Sequence, residues 1–79
     1  MRLDKYLKVS RLIKRRTVAN EACDAGLVSV NGRVARASLE IKPGDVIELT
    51  LGSRKTKAEV ISVAESARKD DAPAMYKEI

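Results

Sequence analysis

Histidine, tryptophan and phenylalanine are absent from this 79-residue chain, and cysteine occurs once, as Cys23. Without histidine there is no Cys/His set for zinc and no ready general acid–base group. A single cysteine excludes an internal disulfide. Tyr6 and Tyr76 are the only aromatic residues, which excludes modules that spread bases over an aromatic sheet surface. No apolar run approaches the roughly 20 residues that span a bilayer, and no segment resembles a signal peptide. The expectation is a cytoplasmic protein that is not an enzyme and needs no metal or cofactor.

What is present is positive charge in one place. The first twenty residues hold Arg2, Lys5, Lys8, Arg11, Lys14, Arg15 and Arg16 against one acid, Asp4, a net +6. The other 59 residues carry nine cations and ten acids, a net −1. The overall +5 is therefore local, and a concentrated basic stretch in a short chain points to a polyanionic partner.

Periodicity places that charge on helices. Leu3, Tyr6 and Leu7 recur at three- and four-residue spacing, and Leu12 and Ile13 extend the apolar side, which predicts a helix over residues 3–13. Arg2, Lys5 and Lys8 lie along its other face, with Val9-Ser10 as a point where the register loosens, and Asp4 stands one turn before Lys8. A second helix is expected over 16–25, with Thr17 as its cap. Val18, Ala22 and Ala25 share its packing face, with Ala19 and Cys23 beside them. Gly26 stops it.

Thereafter the period shortens to two. Asn31-Gly32, flanked by Val28, Val30 and Val34, is a hairpin signal. Lys42-Pro43-Gly44-Asp45 is a turn, Val46–Leu51 a strand, Gly52-Ser53 a turn, and residues 57–63 a strand in which Ala58, Val60 or Ile61 takes the inner face. From Ala64 the chain turns polar. Pro73 opens a short terminal helix ending in Met75, Tyr76 and Ile79, or else the tail is mobile. The expected organisation is one folded domain over 1–63 and a polar tail over 64–79. The fold class is α+β, two short helices packed on a small antiparallel sheet.

Four elements follow in order: the basic first helix, Lys14-Arg15-Arg16-Thr17, the run Gly26-Leu27-Val28-Ser29-Val30-Asn31-Gly32, and Ile41-Lys42-Pro43-Gly44-Asp45-Val46-Ile47. Together they resemble the alpha-L, or S-four-type, RNA-binding family over residues 1–49. Among its stand-alone members, the opening is most similar to the RqcP family of ribosome quality-control P-site proteins and to the small ribosome-associated heat-shock proteins of this fold. The resemblance implies binding to large ribosomal subunits that still carry peptidyl-tRNA, through large-subunit rRNA and P-site tRNA, in cooperation with an RqcH-type alanine-tailing factor. It also places Arg2, Lys5, Arg11, Arg15, Arg16 and Thr17 toward RNA, with Arg16 and Arg2 foremost. Lys8 and Lys14 join them, and Asn31, Arg33 and Lys42 lie on hairpin or turn positions beside them.

The chemistry of those residue types agrees. A-form RNA is read by its shape and phosphates, and the planar arginine fork binds phosphate through two hydrogen bonds. The start of the second helix adds backbone N–H donors beside Arg15 and Arg16. Other roles are plainer: Tyr6 in the core, Cys23 as a small buried hydrophobe, Asn31-Gly32 as turn chemistry, and Asp4 paired with Lys8. A monomer is expected. The alternatives are a heat-shock-type recycling factor for blocked large subunits, a helix-turn-helix DNA binder with the hairpin as a wing, and a subunit of an RNA-modifying enzyme.

Overall fold

Residues 1–63 and 75–79 are described by a computed structural model. Its elements run α1 (Leu3–Val9), α2 (Arg16–Asp24), β1 (Val28–Val30), β2 (Arg33–Val34), β3 (Val46–Leu51), β4 (Arg54–Val60) and β5 (Tyr76–Glu78). The five strands form one antiparallel sheet in the order β2-β1-β3-β4-β5. The α+β expectation of two helices on a small antiparallel sheet holds.

The core lies between the helix pair and one sheet face. Leu3, Tyr6 and Leu7 of α1 and Ala19, Ala22 and Cys23 of α2 are buried against Val28, Val30, Ile47, Leu49 and Val60. Small α2 residues let the two helices approach closely. The buried α2 face is therefore Ala19–Ala22–Cys23, not the expected Val18–Ala22–Ala25. Val18 is 41% exposed, and Ala25 lies at the surface as the C-cap.

The opposite sheet face carries no helix among the described residues. The pairings Glu48↔Lys57, Thr50↔Lys55 and Glu59↔Lys77 put lysines opposite acids or a threonine on that outward side.

Local chemistry sets the turns. Asn31 (φ 54°) and Gly32 (φ 84°) both take left-handed backbone, as a two-residue hairpin turn requires. Pro43 and Gly44 form the 42–45 turn, closed by the Asp45 N–H donating to the Lys42 carbonyl at 3.2 Å. Gly26 (φ 76°) ends α2, its N–H donating to Cys23 O at 3.0 Å and Leu27 N–H to Ala22 O at 3.0 Å, the paired bonds of a Schellman stop.

Three elements differ from expectation. Helix α1 ends at Val9 because Arg11 turns left-handed (φ 65°), while Ile13 still reaches the core through its N–H bond to Leu7 O at 3.0 Å. Thr17 does not cap α2. Arg15 holds that position and no side chain caps the helix. Strand β4 spans Arg54–Val60 rather than 57–63, with Ala58 and Val60 buried and Ile61 47% exposed.

The expected opening of a terminal helix at Pro73 lies outside the described residues. Tyr76–Glu78 are strand, not helix, and pair with Ala58–Val60. Buried Met75 precedes them, its carbonyl accepting hydrogen bonds from the Tyr6 hydroxyl (2.7 Å) and from Ile61 N (2.8 Å) and Ser62 N (3.1 Å).

Candidate nucleic-acid interface

At the centre of the basic region lies its one acid. Asp4 is only 2% exposed, although it sits on the basic helix, because it occupies the turn between buried Leu3 and Leu7. Its carboxylate accepts hydrogen bonds from the Lys5 backbone N–H (2.8 Å), Arg16 Nε (3.4 Å), Asn20 Nδ2 (3.4 Å) and Arg2 Nη2 (3.4 Å). Arg2 Nε lies 3.3 Å from the other oxygen. Asp4 pairs with these groups rather than with Lys8.

Burial pushes the Asp4 carboxyl up. The hydrogen bonds from Asn20, Lys5 N–H and Arg16, with the charge of Arg16, outweigh that and leave it below its ordinary 3.8. The carboxylate thus stays ionised and holds two arginines from two elements side by side. About half of each arginine side chain remains exposed, 50% for Arg2 and 48% for Arg16. Their outer guanidinium edges face solvent beside the uncapped start of α2.

The segment 37–41 fixes this geometry. Leu39 O accepts from Leu3 N (2.8 Å), Ala37 O from Asp4 N (3.1 Å), and Met1 O from Ile41 N (2.8 Å). The first two take up N–H groups that the first turn of a helix leaves unpaired, and the third ties the chain start to Ile41. The first turn of α1 is thereby closed to an anion, whereas that of α2 has no such partners among the described residues.

The other expected residues distribute around this centre. Arg15 and Thr17 are exposed at the α2 start, and Lys8, Arg11 and Lys14 surround a hollow at the C-terminal end of α1. Lys5 is half-buried on α1. Arg33 and Lys42 line a separate groove along the β1–β2 hairpin, and Arg36 joins them there. Asn31 differs in kind. Its amide donates to Asp45 Oδ1 (3.1 Å) and accepts from Val46 N–H (2.9 Å), so the side chain ties the hairpin turn to the 42–45 turn.

Sequence reasoning missed Asp4 as an organiser, with Asn20 and Arg36. The signal for the first two was available: Asp4 is the lone acid among seven cations, and Asn20 follows Arg16 by one helical turn. Cys23 is buried, and burial, with Asp4 and Asp24 nearby, raises its thiol to about 11.

Residues 1–47 match the sequence profile of the S4 domain. The chain is 49% identical over 76 residues to the RQC P-site tRNA stabilizing factor of Halalkalibacterium halodurans, covering 96% of this chain and 86% of that one. It is 47% identical over 76 residues to the protein of the same name in Bacillus subtilis, covering 96% and 88% respectively. A solved trimeric structure of Vibrio cholerae heat shock protein 15 superposes with a TM-score of 0.93 at 29% identity, covering all of this chain and 81% of that one.

Proposed function

The chain belongs to the S4-domain family, and on that premise we propose that it is a non-catalytic RNA-binding protein of ribosome-associated quality control. In this reading it binds, in the cytoplasm, large ribosomal subunits that retain peptidyl-tRNA. It contacts large-subunit rRNA and the P-site tRNA, and an RqcH-type factor extends the stalled chain beside it. The observation that carries the reading is the pair of half-exposed arginines, Arg2 and Arg16, fixed by one buried carboxylate beside an open helix start. Guanidinium groups held in register are prepared for phosphates, because little rotamer freedom remains to be lost on binding. The names of the relatives support stabilisation of P-site tRNA as the task.

Around that centre, Lys5, Lys8, Arg11, Lys14, Arg15 and Thr17 supply further RNA contacts. Arg33 and Lys42 extend them along the hairpin, and Asn31 holds the hairpin's shape. One copy carries the whole face, so the binding unit is a monomer. Sedimentation of the free protein at the molar mass of a trimer would contradict that part.

The test is co-sedimentation with large subunits bearing peptidyl-tRNA. Wild type is expected to enrich them, and Arg16→Ala to lose them while melting as a folded protein. Undiminished enrichment by Arg16→Ala would sink the site assignment. A second reading, a heat-shock-type factor that recycles blocked large subunits, is favoured by the close superposition on heat shock protein 15. Alanine tailing that is unaffected by removal of this protein would favour it.

A further inference from the structure

A further polar concavity lies where α1 ends over the inner face of the sheet. Arg11 and Leu12 line it together with Leu51 and Arg54 of the β3–β4 hairpin and Tyr76 and Glu78 of β5. Its volume is about 210 Å³, below the roughly 300–1,000 Å³ of pockets that take a drug-sized ligand. Neither the Arg11 nor the Arg54 side chain has an ion-pair or hydrogen-bond partner among the described residues. Two guanidinium groups therefore converge on one cleft unneutralised by a direct contact.

We infer that this cleft is a site for a single unpaired RNA nucleotide, with its base against Tyr76 and its phosphate between Arg11 and Arg54. The inference rests on the RNA-binding reading above, which it extends beyond the helices. Tyr76 is half-buried, so its position is fixed while part of the ring stays open. One ring is no stacking platform, but it suffices for one base, and Leu12 and Leu51 supply apolar walls. Thr56, also in the lining, and Glu78 offer hydrogen-bonding groups to the base edge. A carboxylate there accepts from exocyclic amino groups and discourages a second phosphate.

The position of Arg11 gives the strongest support. Among the described residues it is one of two non-glycine residues with positive φ, at 65°. The other, Asn31, is of a type that tolerates the conformation. A glycine would end α1 without strain. The arginine held there lines both this cleft and the adjoining hollow of Lys8 and Lys14. The basic track thus runs unbroken from α1 into the cleft.

Binding of a stem–loop RNA and of a fully paired duplex with the same stem tests this, using 2-aminopurine in the loop as the stacking reporter. Tyr76→Ala is expected to weaken stem–loop binding by roughly 5- to 150-fold, the range of one lost base stack, and Arg54→Ala by roughly 10- to 150-fold, the range of a lost charge-assisted hydrogen bond. Duplex binding should stay within about twofold by the same argument, since a paired base offers no free face. Tyr76→Phe should bind as wild type. Melting curves identify any variant that fails to fold, and Arg54 at the exposed turn provides the test independently of Tyr76. Undiminished stem–loop binding by Arg54→Ala, or an equal loss on both RNAs, overturns the inference. If wild type binds neither RNA, the RNA-binding reading itself fails. If Arg16→Ala alone weakens both, that reading stands and this cleft is excluded.

Discussion

A single carboxylate decides how the arginines behave. Counting charge alone, removal of Asp4 should strengthen RNA binding, because one negative group disappears. The hydrogen bonds argue the reverse: without the anion, Arg2 and Arg16 lose their common anchor. Asp4→Asn is therefore expected to weaken RNA binding by about tenfold, equivalent to about 1.4 kcal/mol, and stability by about 1–2 kcal/mol. Filter binding and chemical denaturation measure the two. The pH dependence follows from the lowered carboxyl value. A depressed value stabilises the fold above the unfolded pKa, and that contribution disappears as pH falls through the folded one. Wild type and Asp4→Asn should thus differ most near neutral pH and converge in acid below 3.8. Cys23 gives a second check at this scale. With its thiol raised from 9.0 to about 11, the thiolate fraction near pH 8 falls about 100-fold. Thiol labelling should therefore be slow until the chain unfolds.

The elements show where local sequence suffices and where it does not. Asn31-Gly32, Pro43-Gly44 and Gly26 specify their turns by backbone chemistry that needs no distant partner, so they were legible. The end of α1 was not, because Leu12 and Ile13 keep a helical apolar spacing although Arg11 has already turned the chain. Here the core draws Ile13 inward by another route. Replacing Arg11 with glycine should remove the left-handed strain and stabilise the fold by about 1 kcal/mol, raising Tm by about 4–8 °C, while weakening RNA binding. Strand β5 was equally hidden. Three residues following a polar stretch carry no period of their own, and their pairing depends on β4 and on buried Met75. Tyr6→Phe removes the hydroxyl donor while the Met75 carbonyl keeps its two backbone donors, Ile61 N and Ser62 N, and should cost about 0.5–1.5 kcal/mol. Met75→Ala should cost about 2–5 kcal/mol. Faster hydrogen exchange along β4 in both variants would show that β5 has detached.

For the whole molecule, the charge asymmetry was legible and its internal order was not. Composition placed the net positive charge in the first quarter of the chain. Only the fold reveals that the lone acid there is buried, that the α2 start lies open, and that the hairpin adds a separate basic groove. If about six phosphates are neutralised, the log–log dependence of affinity on salt should have a slope of about −4 to −5. Arg2→Ala or Arg16→Ala should each flatten it by about one phosphate equivalent. A slope near zero in wild type would remove the phosphate contacts from the account.

The sheet face that carries no helix among the described residues bears on stoichiometry. A protein with cations on every side gathers several RNA strands and condenses with them. Here Lys55, Lys57 and Lys77 share the outward face with Glu48 and Glu59, so the reverse of the molecule offers a second strand little net attraction. Each bound copy is then a terminus rather than a bridge. An RNA saturated with the protein should stay as separate, countable complexes, and excess protein should leave the solution clear.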